Sequence, residues 1–237
     1  MRCLKIVLSL ALLALIAPAG ASAAFKVAIS ENNPPMFDDP NFKALGVKQV
    51  RLVMSYNAVT QARKGDNELT SRIIPYMQKA QAAGVDVLVA IEHARGAAEV
   101  CKTNRTLSQC KLPTDSDYTA NLRAFLQMFP QVKTITPWNE GNHFTQPTSR
   151  NPKAAARFTD IAIRVCKELQ RKCKVLLADV LDQADSAKAK KPKFKSTLRW
   201  IKQYKGALRA KLKSGTCGIH NYSDVNRFRD TGTKTLI

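Results

Sequence analysis

Eight residues near the middle of the chain decide its fold: Thr136-Pro137-Trp138-Asn139-Glu140-Gly141-Asn142-His143. The run just before them, 132–135, is rich in β-branched residues, which is typical of a buried strand. A carboxylate, an amide, an indole and an imidazole therefore follow the C-terminal end of one strand. Parallel α/β sheets place their chemistry at that end, so the stretch predicts a functional site as well as a fold class.

The same alternation of strand and helix recurs along the rest of the chain. The predicted strands cover 25–29, 47–54, 85–91, 132–136, 174–178 and 216–220. The predicted helices cover 39–45, 67–83, 115–129, 152–172 and 195–212, and a sixth short helix is predicted to begin at 224–229. Six β/α units joined mostly by short connections predict a parallel sheet with right-handed crossovers.

Two architectures fit this alternation, a (β/α)8 barrel and an open doubly wound sheet. No G-x-G-x-x-G pattern follows the first predicted strand, and no phosphate-loop glycine pattern occurs, which disfavours a nucleotide-binding open sheet. We therefore predict an α/β fold of the (β/α)8 TIM-barrel type with about six β/α units. A complete barrel typically needs about 250 residues, so we expect a truncated barrel that stops at the entry to a seventh strand, residues 233–237.

The first 23 residues have the features of a secretory signal peptide. Arg2 and Lys5 are basic, 6–17 is an apolar run, and 21–23 is an A-x-A cleavage pattern. We therefore expect one partial TIM-barrel domain over 24–237, secreted to the extracellular space or the cell wall. The apolar run is too short for a lasting transmembrane helix, and we expect no stable membrane anchor.

Five cysteines remain after the signal peptide, and disulfides are the default expectation in an exported protein. Cys101 and Cys110 flank a polar loop that a disulfide between them would close. Cys166 and Cys173 would lie roughly 10 Å apart on one continuous helix, so they can pair only if the helix ends near residue 171. Cys217 is left over, as a buried free thiol or as half of a bond whose partner is not in this sequence.

A formal net charge of +20 indicates anionic partners, for example an acidic polysaccharide. The alternative is that the charge only keeps the protein in solution, and its spread along the predicted helices favours that interpretation. The cationic run 188–195 is the exception, although a solvated surface is the preferred interpretation there too. We expect a monomer without a specific nucleic-acid partner.

Polar side chains follow most of the predicted strands at their C-terminal ends. They include Asn32, Ser55, Tyr56, Asn57, Glu92, Asp179, Asp182 and Tyr222, together with the three histidines of the chain, His93, His143 and His220. In a barrel these ends converge, so the three histidines are candidates for lining one site. The alternative is that loop residues are polar in any case.

With these residues in place, the sequence resembles the clan of retaining (β/α)8 glycoside hydrolases, which includes cellulase-, xylanase- and xylosidase-like enzymes. The resemblance begins with Trp138-Asn139-Glu140 after the fourth predicted strand. It implies that Glu140 is the general acid/base and that Asn139 hydrogen-bonds the sugar 2-hydroxyl. Trp138 has two open interpretations, a platform that stacks on a sugar ring and a residue packed in the core.

The resemblance extends to three other strand ends. His93 matches a histidine after strand three, His220 and Tyr222 match a His-x-Tyr pattern after strand six, and Arg51 is the candidate for an arginine on strand two. The resemblance implies that these residues bind an oligosaccharide or polysaccharide. His143 is a further candidate for substrate binding, because it lies among the same strand ends, and we expect no cofactor.

A retaining glycosidase needs a second carboxyl group, the nucleophile, roughly 5–5.5 Å from the acid/base. The resemblance places that nucleophile, a glutamate, at the end of strand seven. No glutamate follows Glu168 in this sequence, and Asp179, Asp182 and Asp224 follow the wrong strands. We therefore expect the chain as written to be inactive or nearly so.

Two rival functions remain. Glu92, His93, His143 and His220 could hold zinc or manganese, as in barrel isomerases or deacetylases, although no H-x-H or H-E-x-x-H motif is present. Alternatively, the protein could bind a carbohydrate or wall polymer without catalysis, with the run 188–195 holding an anionic chain.

Overall fold

Strands and helices alternate through the computed structural model, which describes residues 27–62, 65, 67–95, 110–182, 196–210 and 215–222. The strands are β1 (Ile29–Ser30), β2 (Gln49–Ser55), β3 (Asp86–Glu92), β4 (Thr134–Thr136), β5 (Lys174–Val175), β6 (Asp179–Leu181) and β7 (Gly218–His220). The α-helices are α1 (Pro40–Leu45), α2 (Ala58–Ala62), α3 (Ile74–Ala82), α4 (Asp115–Met128), α5 (Pro152–Glu168) and α6 (Thr197–Ala207). Two 3-10 helices, Pro34–Asp38 and Pro147–Arg150, and a π-helical turn, Glu68–Ile73, complete the described elements.

The strands β1 to β5 form one parallel sheet in strictly sequential order, and β6 pairs in parallel with β7. Between β5 and β6 the chain changes its pairing partner. The Leu176 N–H donates to Ile135 O on β4, whereas the Leu177 N–H donates to Thr216 O just before β7. β5 and β6 are therefore two halves of one strand position, and the single strand predicted over 174–178 is divided by this change of partner.

The described strands thus occupy six sequential positions, all parallel. A doubly wound sheet reverses its strand order at a switch point, whereas a (β/α)8 barrel keeps sequential order around its wall. The described strands show no reversal. The predicted (β/α)8-type fold is confirmed.

The helices begin and end where local chemistry satisfies their free backbone groups. Thr114 caps α4, because its hydroxyl accepts a hydrogen bond from the Asp117 N–H. The Asn151 side chain caps α5 in the same way, and Pro152 occupies the first turn, where its missing N–H has no partner to lose. Apolar residues on α4 and α5 are buried with the strands in one main hydrophobic core.

Helix α5 ends at Glu168, four residues earlier than predicted. Gln170 adopts a left-handed conformation with φ +53°. Its N–H donates to Lys167 O, and the Arg171 N–H donates to Cys166 O. These two bonds form a Schellman motif, which satisfies the last carbonyls of the helix and reverses the chain.

That reversal joins Cys166 to Cys173 in a disulfide with 6.0 Å between the Cα atoms. The pairing that required an early helix end is therefore confirmed. Cys217 is a free and exposed cysteine, so a buried thiol was the wrong expectation. The other predicted disulfide involves Cys101, which lies outside the described residues.

The helix predicted over 67–83 begins with the π-helical turn, in which the Ile74 N–H donates to Leu69 O five residues back. Pro75 explains the difference, because a proline in a regular helix lacks a donor and its ring clashes with the carbonyl four residues earlier. The segments 1–23, 188–195, 224–229 and 233–237 lie outside the described residues. None of the helices within the described ranges has the length and apolar character needed to cross a bilayer.

Candidate active site

The turn after β4 carries Asn139 and Glu140, and backbone hydrogen bonds hold it on both sides. The Asn139 N–H donates to Ile91 O on β3 at 2.7 Å, and the Gly141 N–H donates to Asp179 O on β6 at 2.9 Å. The turn therefore continues the sheet pairing beyond the end of β4. Its side chains are consequently positioned by two neighbouring strands rather than by a free loop.

Glu140 has φ +45°, in the left-handed region that non-glycine residues seldom adopt. This conformation is unfavourable by about 1–2 kcal/mol for a residue with a Cβ atom. Residues held in such conformations concentrate at functional sites, where the surrounding structure enforces them. The Glu140 side chain remains 20% exposed, so solvent or a ligand can reach the carboxylate.

Gly141 lets the turn pack closely on α6. A Cβ atom at position 141 would lie 2.7 Å from the Trp200 ring, which is too close for any side chain. Trp200 is itself buried, and its Nε1–H donates to Thr148 O at 3.2 Å. The buried indole therefore packs directly against the backbone of the turn at Gly141.

His220, at the end of β7, lies between two carboxylates. Its Nε2 is 2.7 Å from Asp179 Oδ1, and its Nδ1 is 3.0 Å from Glu140 Oε1. The Tyr222 hydroxyl lies 3.2 Å from the same Nδ1. The imidazole therefore connects the turn after β4 to the start of β6.

Burial is the largest single influence on the His220 pKa and lowers it, but hydrogen bonds to Asp179 and Glu140 and the Asp179 charge together outweigh it. The resulting pKa is about 9. His220 is therefore an imidazolium at neutral pH, with an N–H to donate from each nitrogen. Its bond to Glu140 is charge-assisted, the stronger class of hydrogen bond.

Arg51, on β2, joins Asn139 to the same group. Its Nη2–H donates to Asn139 Oδ1 at 2.5 Å and to Asp179 Oδ2 at 3.1 Å. The Asn139 Nδ2–H donates to Glu92 Oε2 at 3.4 Å, and Glu92 Oε1 is 3.3 Å from Arg95 Nη2. These bonds orient the Asn139 amide, because its oxygen faces a cation and its nitrogen faces a carboxylate.

The structure thus brings together five of the predicted site residues: Arg51, Asn139, Glu140, His220 and Tyr222. Trp138, by contrast, is buried, with 3% of its surface exposed. Its Nε1–H donates to Gln146 Oε1 at 3.0 Å, and its ring stacks 5.0 Å from that of Phe158. Of its two interpretations, core packing fits the structure, since a buried indole offers no face to a sugar.

The other two histidines have hydrogen-bond partners close to them in the sequence. His93 is buried, and its Nδ1–H donates to Ala94 O at 2.6 Å. His143 lies with Nδ1 2.6 Å from Thr145 Oγ1. Burial lowers the His143 pKa, and the Glu140 charge opposes the change only in part, so this imidazole is neutral at neutral pH. A substrate-binding role for either residue stays a prediction.

The rival metal site does not assemble. Glu92, His93, His143 and His220 all lie in the described part of the chain, and there no three His, Cys, Asp or Glu side chains form a group that could hold a metal ion.

Sequence reasoning missed the structural importance of Asp179 and Arg95. Asp179 was recognised only as a polar residue after a strand, and Arg95 was not singled out. A local signal existed for Asp179, because a carboxylate between Ala178 and Val180 in an apolar run must find partners when it is buried. No comparable signal marks Arg95, which lies on the loop after β3.

No protein-family model matches the chain, and no curated protein matches it. Among solved structures, the chain is similar to a family 39 glycoside hydrolase from Bacteroides cellulosilyticus WH2, with 14% identity and a TM-score of 0.44, covering 63% of this chain and 30% of that one. A GH10 xylanase from Bispora sp. MEY-1 has 12% identity and a TM-score of 0.44, with 64% and 50% covered. A β-glucosidase from Thermotoga maritima has 16% identity and a TM-score of 0.43, with 62% and 37% covered.

This chain therefore spans half or less of each of these structures. The three structures named above are a family 39 glycoside hydrolase, a xylanase and a β-glucosidase, which are classes of enzyme in the clan that the sequence resembles.

Proposed function

We propose that this chain is a secreted glycoside-hydrolase-type protein that binds carbohydrate at the C-terminal ends of its strands. Glu140 takes up a proton from solvent and then gives it to the glycosidic oxygen. One observation supports this function above all. Glu140 lies on a left-handed backbone at the end of β4, with its carboxylate in a charge-assisted bond to His220 and still reachable from solvent. An accessible, rigidly held carboxyl group is what general acid/base catalysis requires.

Asn139 is suited to bind a sugar hydroxyl beside Glu140. An amide has two N–H donors and an oxygen with two lone pairs. Arg51 occupies one lone pair and Glu92 occupies one N–H. Among the residues that the structure describes, one donor and one acceptor of the amide have no recorded partner, and the two charged neighbours hold the amide in its orientation. A hydroxyl group, which both donates and accepts, matches that pair.

A retaining mechanism also needs a carboxylate nucleophile, and neither Asp179 nor Glu92 is free to act as one. Both oxygens of Asp179 accept hydrogen bonds, from His220 and Arg51, and the side chain is buried. Both oxygens of Glu92 face partners as well, Arg95 and Asn139. We therefore propose that the described residues form the acid/base half of a retaining site.

The same engagement of Asp179 and Glu92 favours the second candidate function, carbohydrate binding without turnover. The other parts of the proposal apply to either function: removal of residues 1–23, a monomeric domain over 24–237, and an oligosaccharide or polysaccharide ligand. An anionic polymer is the variant of that ligand that a formal net charge of +20 for the full sequence would attract, although the spread of the charge along the helices fits solubility as well.

Cleavage of aryl β-glycosides with good and poor leaving groups tests the proposal. Azide is added as an external nucleophile, because the described residues supply only the acid/base half of the site. Glu140→Gln should reduce turnover of phenyl glycosides far more than that of dinitrophenyl glycosides, because only the poor leaving group needs a proton. Glu168→Gln is the matched control, since Glu168 forms its ion pairs with Arg123 and Arg164 at the end of α5.

Equal loss on both substrates, or no loss, would contradict the acid/base role. Binding of oligosaccharides by calorimetry without turnover, weakened by Asn139→Ala, would establish the binding function instead. A protein that neither cleaves nor binds any glycan of the panel would refute both.

A further inference from the structure

Asp179 contacts His220, which holds Glu140, and Arg51, which holds Asn139. Its Oδ1 accepts from His220 Nε2–H at 2.7 Å, and its Oδ2 accepts from Arg51 Nη2–H at 3.1 Å. His220 in turn contacts Glu140, and Arg51 contacts Asn139. One buried carboxylate is therefore bonded to the two side chains that hold the proposed acid and the proposed sugar-binding amide.

The space for this carboxylate depends on Gly218. In the parallel pairing of β6 with β7, Gly218 is the register partner of Asp179. A Cβ atom at position 218 would lie 2.6 Å from Asp179 Oδ1, closer than side chains tolerate. The absence of a side chain at this position therefore lets the carboxylate lie against β7 and reach His220 two residues further on.

The backbone of Asp179 also takes part, since its carbonyl accepts from the Gly141 N–H at 2.9 Å, directly after Glu140. Asp179 is thus joined to the Glu140 turn through its main chain and through His220.

We propose that Asp179 is a positioning residue that holds His220 against Glu140 and Arg51 against Asn139, so that acid and amide act as one unit. The inference rests on the function proposed above for Glu140 and Asn139, and it adds a residue that does not itself touch the substrate.

The charges around Asp179 indicate what its loss would do. Two cations, Arg51 and His220, share the site with two anions, Asp179 and Glu140. Without the Asp179 charge, Arg51 faces the His220 imidazolium with less compensation, and repulsion between like charges favours release of the imidazole proton. A carboxylate at Oδ1 can only accept, so it also keeps a proton on Nε2 whenever His220 is neutral.

Titration of the imidazole resonances by NMR tests this role without any substrate. The chain has three histidines, so His220 is assigned by comparison with His220→Gln. In the wild type the His220 resonance should titrate near pH 9. Asp179→Asn should weaken the proton affinity of His220 at least tenfold. Asp160→Asn is the control, because Asp160 accepts hydrogen bonds from the Arg209 and Ala210 backbone on the outer surface.

Gly218→Ala provides a second variant that retains the carboxylate but displaces it. It should lower the proton affinity of His220 in the same direction by a smaller factor, and it keeps the test available if Asp179→Asn does not fold. Unchanged His93 and His143 resonances verify that the fold is intact. An unaltered His220 titration in a folded Asp179 or Gly218 variant would overturn the positioning role.

The outcome is separable from the proposed hydrolysis. A shifted His220 titration together with failure of the glycoside tests would leave the positioning of His220 established and the acid/base function of Glu140 refuted. If the glycoside tests succeed, Asp179→Asn should lower kcat/KM for the same glycosides, since Asp179 acts through Glu140 and Asn139, the two residues proposed to touch the substrate.

Discussion

Raising the pH through about 9 should reduce the stability of the folded protein through one side chain, His220. In the unfolded chain this imidazole has its ordinary pKa of 6.5, and in the folded chain the pKa is about 9. Burial is the largest single influence and lowers the pKa. The hydrogen bonds to Asp179 and Glu140, together with the Asp179 charge, raise the pKa by more than burial lowers it. The folded state therefore binds the proton more tightly than the unfolded state does.

The direction of the effect follows from proton binding. Below pH 6.5 both states are protonated and the full stabilisation is present. Between 6.5 and 9 the folded state holds one more proton, so the free energy of unfolding falls as the pH rises. The His220 side chain is only 12% exposed, so solvent screening is modest. At 1.36 kcal/mol per pKa unit, the whole loss is about 3 kcal/mol.

Urea unfolding followed by tryptophan fluorescence measures this loss, since Trp138 and Trp200 are both buried in the folded state. Wild type and His220→Gln are compared at half-unit steps from pH 6 to 10. Their difference in unfolding free energy should shrink by about 1.4 kcal/mol per pH unit across the window. Other groups that titrate there, such as lysines and tyrosines, cancel in the comparison.

His143→Gln is the matched control, because the His143 pKa is lowered by burial rather than raised. Its stabilising contribution is present above pH 6.5 and declines as the pH falls through its lower folded value. The difference from wild type should therefore change with pH above 6.5 for His220→Gln and below 6.5 for His143→Gln. A difference between wild type and His220→Gln that stays constant from pH 6.5 to 9.5 would refute the reasoning.

Three further perturbations have expected outcomes. Gly141→Ala should lower the free energy of unfolding by about 1–3 kcal/mol, because its Cβ would meet the Trp200 ring. Gly206→Ala, in open space within α6, should raise the free energy of unfolding by about 0.5–1 kcal/mol. Urea titrations in which both variants change the stability in the same direction would contradict this. Glu140→Gly should be more stable than Glu140→Ala by about 1 kcal/mol, since both lack the carboxylate and only alanine is strained at φ +45°; identical midpoints would count against backbone strain. Replacing Cys166 and Cys173 by serine should lower the free energy of unfolding by about 2–3 kcal/mol, because the disulfide that joins α5 to the following turn is lost. A change smaller than the error of the titration would show that the bond does not constrain the unfolded chain.

Much of the fold could be predicted because its signals are local. The alternation of β-branched runs with amphipathic segments indicated six strand positions in order, and Thr114 and Pro152 marked two helix starts. The helix ends were harder. The left-handed Gln170 and the π-helical turn before Pro75 changed two of them, because both depend on backbone hydrogen bonds that residue patterns describe only loosely.

The candidate site was predictable in its membership but not in its connections. Polar residues at strand ends identified Asn139, Glu140 and His220, since the C-terminal ends of parallel strands converge. The same rule could not separate Trp138, which faces the core, from its neighbours, because a single turn directs successive side chains in opposite directions.

By itself, the sequence determined the parallel alternation, the short connections and the set of polar groups at the strand ends. Only the tertiary structure decided that Asp179 bonds Arg51, which lies 128 residues earlier, and His220, which lies 41 residues later. It also decided the left-handed Glu140 and the space that Gly218 leaves for a carboxylate. The physical reason is the separation in sequence over which each interaction acts. Hydrophobic periodicity and capping act within a few residues along the chain. Hydrogen bonds and ion pairs instead join residues far apart in the sequence, wherever the folded sheet brings their atoms to about 3 Å.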